Sequence, residues 1–485
     1  MARELLGNIK GDKGDKGDPG IDVSNIEVIE ARDSFPKLSE RLNSSDNSLN
    51  LINDFVGTGL IDVNKMHPDF PLDIPFNVWL NRDGTFGNDF DKEDFKSGAT
   101  QFYFDWENGD DSNDGLSEST ALRTFTTLID AVNTHSSNKI NVNIMNIHVA
   151  RNFLGYPTND SYQISSGKTV IISPHGRDKF YFSGFERNDH LDWTPDGNSY
   201  KATRSVTAEI FDLSKLGYRD LPKRLKKVNS SSEVKNERGT WYTDGADIWI
   251  RLDDDRTPDE YIGVMLKNTA KGFKLDVGSK LMFDNTGFYS QATSLGNINS
   301  IRVEGTTGTE LYMINPDIGY SSLNGLSTYD VDKVWVFNPK AHGNYKDGLN
   351  YHGSSTNKIF EFMAEAWNNG KDEAGNNNGS TAHSGMSTVR FGTLAYSNDG
   401  PQIADVGDCY SIMFNSEGHT STKLTKSNTK AGIFIGGENP KAYLYNCGGG
   451  GTDTYSLSGN SAAIHVRNFK GNDIYPAIKE NLSLI

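Results

Sequence analysis

Residues 311–315 read LYMIN and residues 334–338 read VWVFN, each a short apolar run closed by an asparagine. The same pattern recurs as LMFDN ending at Asn285, IMFN at Asn415 and YLYN at Asn446, with IRVEG (301–305) and VRFG (389–392) between them. Recurrence at about twenty to about thirty residues is the mark of a solenoid whose coils stack one upon the next. Asparagine tolerates the left-handed backbone that a sharp coil corner requires, and stacked copies can hydrogen-bond to one another. A β-sandwich would also give short strands and turns. Long helical patterns are absent from this half of the chain, which argues against an α/β fold.

Working back toward the N-terminus, residues 102–133 read FYFDWENGDDSNDGLSESTALRTFTTLIDAVN. Phe102 and Phe104 alternate as in a strand, and Phe125, Leu128, Ile129 and Val132 form one apolar helix face. Between them Asp110, Ser112, Asp114 and Gly115 imitate half of a calcium loop, but Ala121 stands where that loop needs glutamate, so the stretch reads as a structural turn. The NGDDSNDGLS loop followed by a short amphipathic helix resembles the opening of right-handed parallel β-helix proteins of the pectate-lyase-like superfamily. The resemblance implies that a helix over 121–134 caps the first coil, where apolar core and unpaired strand edges would otherwise meet water. The solenoid is expected over 99–470, with a β-rich insertion at about 185–265 and a C-terminal tail at 471–485. Within the insertion, GTWYTDGADIWIRLDDD (239–255) predicts a hairpin around Asp244 and Gly245, and the KRLKK run (223–227) predicts a solvated face.

Further back, GDKGDKGDPG (11–20) puts glycine at 11, 14, 17 and 20, the period that three wound chains need. Four triplets are too few to hold alone, and the alternative is a polar linker. Phe35, Leu38, Leu42, Ser45, Leu49, Ile52 and Val56 then follow a heptad seam, or else one face of a single amphipathic helix. Together the two segments predict a short collagen-like and coiled-coil stalk in a homotrimer: 1–24, then a trimeric helix at 25–60, then a Pro- and Asp-rich linker or adaptor at 61–98. The fold class expected is therefore mostly β, a right-handed parallel β-helix with a capping helix behind an N-terminal stalk.

Composition narrows the function. The 485 residues carry a net charge of -16, which disfavours nucleic acid and anionic membranes as partners and leaves neutral glycans open. No stretch approaches eighteen apolar residues, so no membrane insertion is expected, and MARELLGN lacks the pattern of a secretion signal. Cys409 and Cys447 sit in strand-like runs and are expected to pack as small buried residues.

Polar and aromatic residues concentrate between 340 and 420. Asp347, Glu365, His383 and Asp405 are separated by eighteen, eighteen and twenty-two residues, close to one coil each, and would line one side of the solenoid beside Tyr345, Tyr351 and Trp367. In FEFMAEAW (360–367), strict alternation would turn Phe360, Phe362, Ala364 and Ala366 inward and Glu361, Met363, Glu365 and Trp367 outward. An outward tryptophan beside a carboxylate suits a sugar ring. Asp347, Asp405 and Asp408 could also act as a hydrolytic carboxylate pair with His352 or His383 moving protons. The plainer alternative is that these residues bond the backbone at coil corners. There is no phosphate loop, zinc spacing or nucleophile elbow, and neither a cofactor nor a metal is expected.

ARDSFPKLSERL (31–42) resembles a segment that precedes trimeric modules in tail-fibre, tailspike and baseplate receptor-binding proteins of phages of Gram-positive bacteria. KDGLNYH (346–352) and GSTAHSG (379–385) resemble a β-helix subfamily of phage and bacterial surface proteins. The resemblance implies a virion protein made in the host cytoplasm, a homotrimer bound to other baseplate or tail proteins by its N-terminus. Its β-helix would meet a host cell-wall glycan such as teichoic acid or capsule, which some members bind and others cleave. A bacterial collagen-like adhesin would need an export signal.

Overall fold

The computed structural model describes most of residues 74–484; the longest stretches outside the description are 151–161, 290–298, 371–376, 420–430 and 472–481. The expected collagen-like triplets and heptad helix lie outside the described residues. The chain divides into two compact units, 1–90 and 91–485. In the first, Val78–Leu80 pairs antiparallel with Phe86–Asn88.

The second unit is a parallel β-helix. Each coil adds one strand to each of three parallel sheets, which contain twelve (sheet A), nine (sheet B) and nine strands (sheet C) among the described residues. One full turn runs from Leu326–Tyr329 in sheet C to Lys333–Phe337 in sheet A, then Lys340–His342 in sheet B, and returns to sheet C at Leu349–His352. No single coil can bury its own apolar face, so the core is continuous through the stack. Leu311, Val334, Ile359, Thr388, Ser411 and Ala442 stand in one file, at steps of 23, 25, 29, 23 and 31 residues.

The asparagines sit where the sequence put them, at the corner between sheets A and B. Asn285, Asn315, Asn338, Asn415 and Asn446 all adopt φ between 46° and 52°. Asn315 donates to Asn285 Oδ1 at 2.8 Å, Asn338 to Asn315 at 2.9 Å and Asn446 to Asn415 at 2.7 Å. In the two coils between Asn338 and Asn415 the corner is held by Met363 (φ 52°) and Gly392 (φ 66°), and the ladder is interrupted.

That corner corrects the alternation expected in FEFMAEAW. Ala364 and Ala366 do face the core, but Met363 turns the chain, so parity resets and Ile359 and Glu361 are the inward residues of the preceding strand. Phe360 and Phe362 lie on the outer side, stacked on Trp335 and Phe337 of the coil below at 4.1 and 4.9 Å.

The capping helix spans Phe125–Thr134, with the Thr124 side chain accepting the Thr127 N–H. It starts four residues later than the sequence suggested because Leu122 is still engaged as a strand partner of Phe104. The Phe125 ring meets Phe104, Tyr162, Phe182 and Phe273 at 4.9–6.1 Å, closing the first coil. Asp110 and Asp114 accept the N–H groups of Ser112 and Leu116, which is the work of a turn. The insertion forms two sheets around Ile210, Trp241, Ile248 and Val264, antiparallel except where Lys226–Lys227 pairs parallel with Thr240–Thr243. Its expected hairpin pairs Thr240–Thr243 with Asp247–Arg251. It rests on sheet B through Phe211, whose ring lies 4.8 Å from Tyr320. Cys409 and Cys447 are free and buried.

Candidate functional site

Three strands of sheet C repeat one four-residue pattern: LSTY (326–329), LNYH (349–352) and STAH (380–383). Their first and third residues face the core, so the second and fourth point out. Two files therefore climb the solenoid side by side. One is polar, of Ser327, Asn350 and Thr381, in register on adjacent strands.

The other is a column of rings. Arg302 places its guanidinium 4.3 Å from the centre of the Tyr329 ring. Tyr329 stacks on His352 at 4.7 Å and His352 on His383 at 4.4 Å, with interplanar angles of 4° and 5°. All three rings are half-buried, and because their faces are taken by one another, they offer their edges. Burial, followed by the charges of His383 and Arg302, pushes His352 down to about 4. Burial lowers His383 as well, so both imidazoles are neutral at pH 7. His383 Nε2 is itself buried without a hydrogen-bond partner, so that atom does not meet a ligand.

The loops that feed sheet C are pinned by a second amide ladder. Asn344 Nδ2 donates to Asn369 Oδ1 at 2.9 Å, Asn369 to Asn398 at 2.8 Å, and Asn398 to Gln402 Oε1 at 2.9 Å. This holds Asp347 at the entrance of its strand, buried, accepting the Asn378 N–H at 2.7 Å and Asn350 Nδ2 at 2.5 Å. Burial pushes the carboxyl up to about 6 against the pull of those bonds and of Lys346. Around it Asn350 Oδ1, Asn378 Oδ1 and Thr381 Oγ1 are buried without partners. Such atoms are rare in folded proteins and each wants a physical account.

The single lined-up side expected from the sequence does not form. Asp347, with half-buried Tyr345 on the same loop, leads into sheet C, and His352 and His383 are on its outer face. Tyr351 instead faces the interior, fully buried, with its hydroxyl turned toward Glu361. Glu365 and Trp367 belong to sheet B, a different face. Trp367 is 1% exposed, stacked against His342 at 4.9 Å and Tyr396 at 6.1 Å, so no sugar can lie on its ring. Glu365 accepts the Tyr396 hydroxyl at 3.2 Å. Asp405 is inside the solenoid, paired with Arg390 at 2.7 Å and bonded to Thr388 and Ser411. Asp408 is an exposed corner residue at φ 65° that accepts the Asn439 N–H at 2.7 Å, which is the plainer role. The eighteen-residue spacing misled because the steps between coils from 311 to 442 are 23 to 31 residues, set by loop length. Ser327, Tyr329, Asn350, Asn378 and Thr381 were missed, although the repeat LSTY, LNYH, STAH carries most of them.

No family model and no curated protein matches the chain. Among solved structures it is similar to a complex of XylC with xylose, at 7% identity and TM-score 0.44 over 76% of this chain and 69% of that one. It is also similar to pectate lyase Pel9A, at 12% identity and TM-score 0.41 over 81% and 80%, and to a glycoside hydrolase, at 10% and 0.36 over 80% and 99%. At such identities and scores nothing of their chemistry is carried over.

Proposed function

We propose that the outer face of sheet C binds a linear host-surface glycan, and that the chain serves as a homotrimeric tail-fibre or baseplate protein in phage adsorption. The observation that carries the binding reading is the column of half-buried rings, Tyr329, His352 and His383, on that face. Phenol and imidazole edges repeating at the rung spacing of about 4.8 Å suit a polymer of hydroxyl-bearing units lying along the solenoid, while Ser327, Asn350 and Thr381 beside them are buried and meet no sugar. Binding is favoured over cleavage because the expected carboxylates do not share that face. Asp347 sits before sheet C, Asp408 lies past its far end, and Asp405 is inside. Hydrolysis needs two carboxyl groups flanking one bond.

The test incubates the full chain with purified cell-wall glycans and follows both retention and new reducing or unsaturated ends. Retention without new ends is expected. Replacing both His352 and His383 by Ala should weaken retention about tenfold or more, the loss of one or two hydrogen bonds' worth. Trp367→Ala should lower the melting temperature and leave retention in the folded fraction unchanged. Cleavage that vanishes in Asp347→Asn would overturn the binding reading in favour of a depolymerase. Light scattering of the full chain should give about three times 53.6 kDa; a monomer would remove the trimer.

A further inference from the structure

The geometry points to a calcium-class cation site at Asp347, Asn350, Asn378 and Thr381, where the loops meet sheet C. These residues are brought together by the fold. Asn350 faces Thr381 across adjacent strands, Gly348 donates its N–H to Asn378 O at 2.9 Å, and both asparagines bond to the Asp347 carboxylate. Because Asn350 commits its Nδ2 to Asp347, its Oδ1 is fixed as a free acceptor, and a flipped amide would set oxygen against oxygen. Asn378 Oδ1 and Thr381 Oγ1 are likewise without partners, and none of the four residues is more than 7% exposed.

Three buried oxygens without donors beside a buried carboxylate make an arrangement of acceptors that lacks its positive partner. Burial to this degree excludes a sugar ring as the missing partner. The donor set is all oxygen: one carboxylate, two amide carbonyls and a hydroxyl. That is the hard-ligand chemistry of Ca²⁺, which accepts six to eight oxygens in loose geometry and completes its shell with water or backbone carbonyls. With no imidazole or thiolate in the patch, zinc and copper are disfavoured. A single formal charge among the ligands predicts weak binding, with Kd on the order of 10⁻⁴–10⁻³ M. Occupancy would tie the 343–348 loop to the segment at 377–379 and so stiffen the entrance of the two files. The site itself does not depend on what the rings bind.

The experiment uses the full chain, freed of metal with a chelator, in a calorimetric titration with CaCl₂ up to about 10 mM, above the range of such sites, with terbium luminescence as a second readout. One saturable site per chain is expected, with a melting temperature that rises in CaCl₂ and stays level in NaCl of matched ionic strength. Asp347→Asn should abolish binding. Thr381→Val keeps shape and should fold, and with Asn378→Ala it should weaken binding about tenfold, one good contact's worth. Absence of saturable binding, or binding untouched in Thr381→Val and Asn378→Ala, overturns the site; a lone buried water in the patch would give that first result. No glycan enters the titration, so its outcome and that of the retention test are separate.

Discussion

Two stretches of one solenoid fill the same interior differently. In the strands of sheet A from 280 to 337 the inward pairs are Leu281 and Phe283, Leu311 and Met313, Val334 and Val336, all apolar. In the next coils the corresponding pairs are Ile359 and Glu361, then Thr388 and Arg390, and Asp405 arrives from sheet C. Glu361 and Arg390 are direct rung neighbours, 3.3 Å apart at Oε2 and Nε. Ser380 and Thr393 hydroxyls donate to Glu361 at 2.5 and 3.0 Å, and Asp405 takes both terminal nitrogens of Arg390 at 2.7 and 2.9 Å. Ala442 and Leu444 then restore an apolar core. The difference teaches that stacking, unlike a globular core, presents each inward residue with a fixed partner one rung away. A charge can therefore be enclosed where the next coil supplies its complement.

The largest effect should come from breaking that complement. Arg390→Met leaves two carboxylates enclosed without a cation and should cost about 3–5 kcal/mol, well beyond Val336→Ala in the apolar stretch. Thermal melting of both variants checks it, and equal losses would mean that the ions are not special. The combined change Glu361→Leu, Arg390→Met, Asp405→Leu should recover most of the loss, since a buried ion group replaced as a whole by apolar residues is often neutral or stabilising.

A middle-sized effect is expected from acid, at a third kind of enclosed charge. On the outer side of sheet B, Asp317 accepts the Tyr289 hydroxyl at 2.8 Å and lies 3.0 Å from His342 Nε2 and 3.5 Å from Lys179 Nζ. Burial alone would raise its carboxyl, but His342, Lys179 and Tyr289 outweigh that and hold it at about 2. A value below the ordinary 3.9 or so means that the unfolded chain takes up the proton first. The contribution is complete above about pH 4 and fades as the pH falls toward 2; it amounts to about 2–3 kcal/mol. Melting curves between pH 5 and 2, in range of the carboxylate reference values, should flatten in Asp317→Asn; parallel curves for variant and parent would show that this aspartate is not the sensor.

The smallest effect sharpens the comparison at its boundary. The polar interior coincides with the gap in the asparagine ladder, at Met363 and Gly392. Placing Asn at both corners should complete the ladder from Asn338 to Asn415 and add about 0.5–1.5 kcal/mol per new bond, with relief of the left-handed strain at Met363. A double variant less stable than the parent would show that these coils need their corners unlinked.

Much of the fold was legible because its signals are local. A left-handed corner selects asparagine or glycine whatever surrounds it, so Asn285, Asn315, Asn338, Asn415 and Asn446 announced the coils. An amphipathic face announced the helix at Phe125–Thr134, and Asp244 with Gly245 the hairpin of the insertion. The candidate site was legible only in pieces. Asp347, His352 and His383 were named, but Trp367, Tyr351 and Asp405 were assigned surfaces that they do not have.

By itself, then, the sequence determined that the chain coils, where each coil turns and what closes its first end, since each of these depends on the conformational preference of a few neighbouring residues. Only the tertiary structure decided which side of each strand faces in and which polar groups meet. A corner such as Met363 resets the alternation, and loops of unequal length vary the coils between 311 and 442 from 23 to 31 residues. Neighbours across rungs, such as Glu361 with Arg390 or Asn350 with Thr381, are therefore fixed by hydrogen-bonded register between strands and by no constant spacing along the chain.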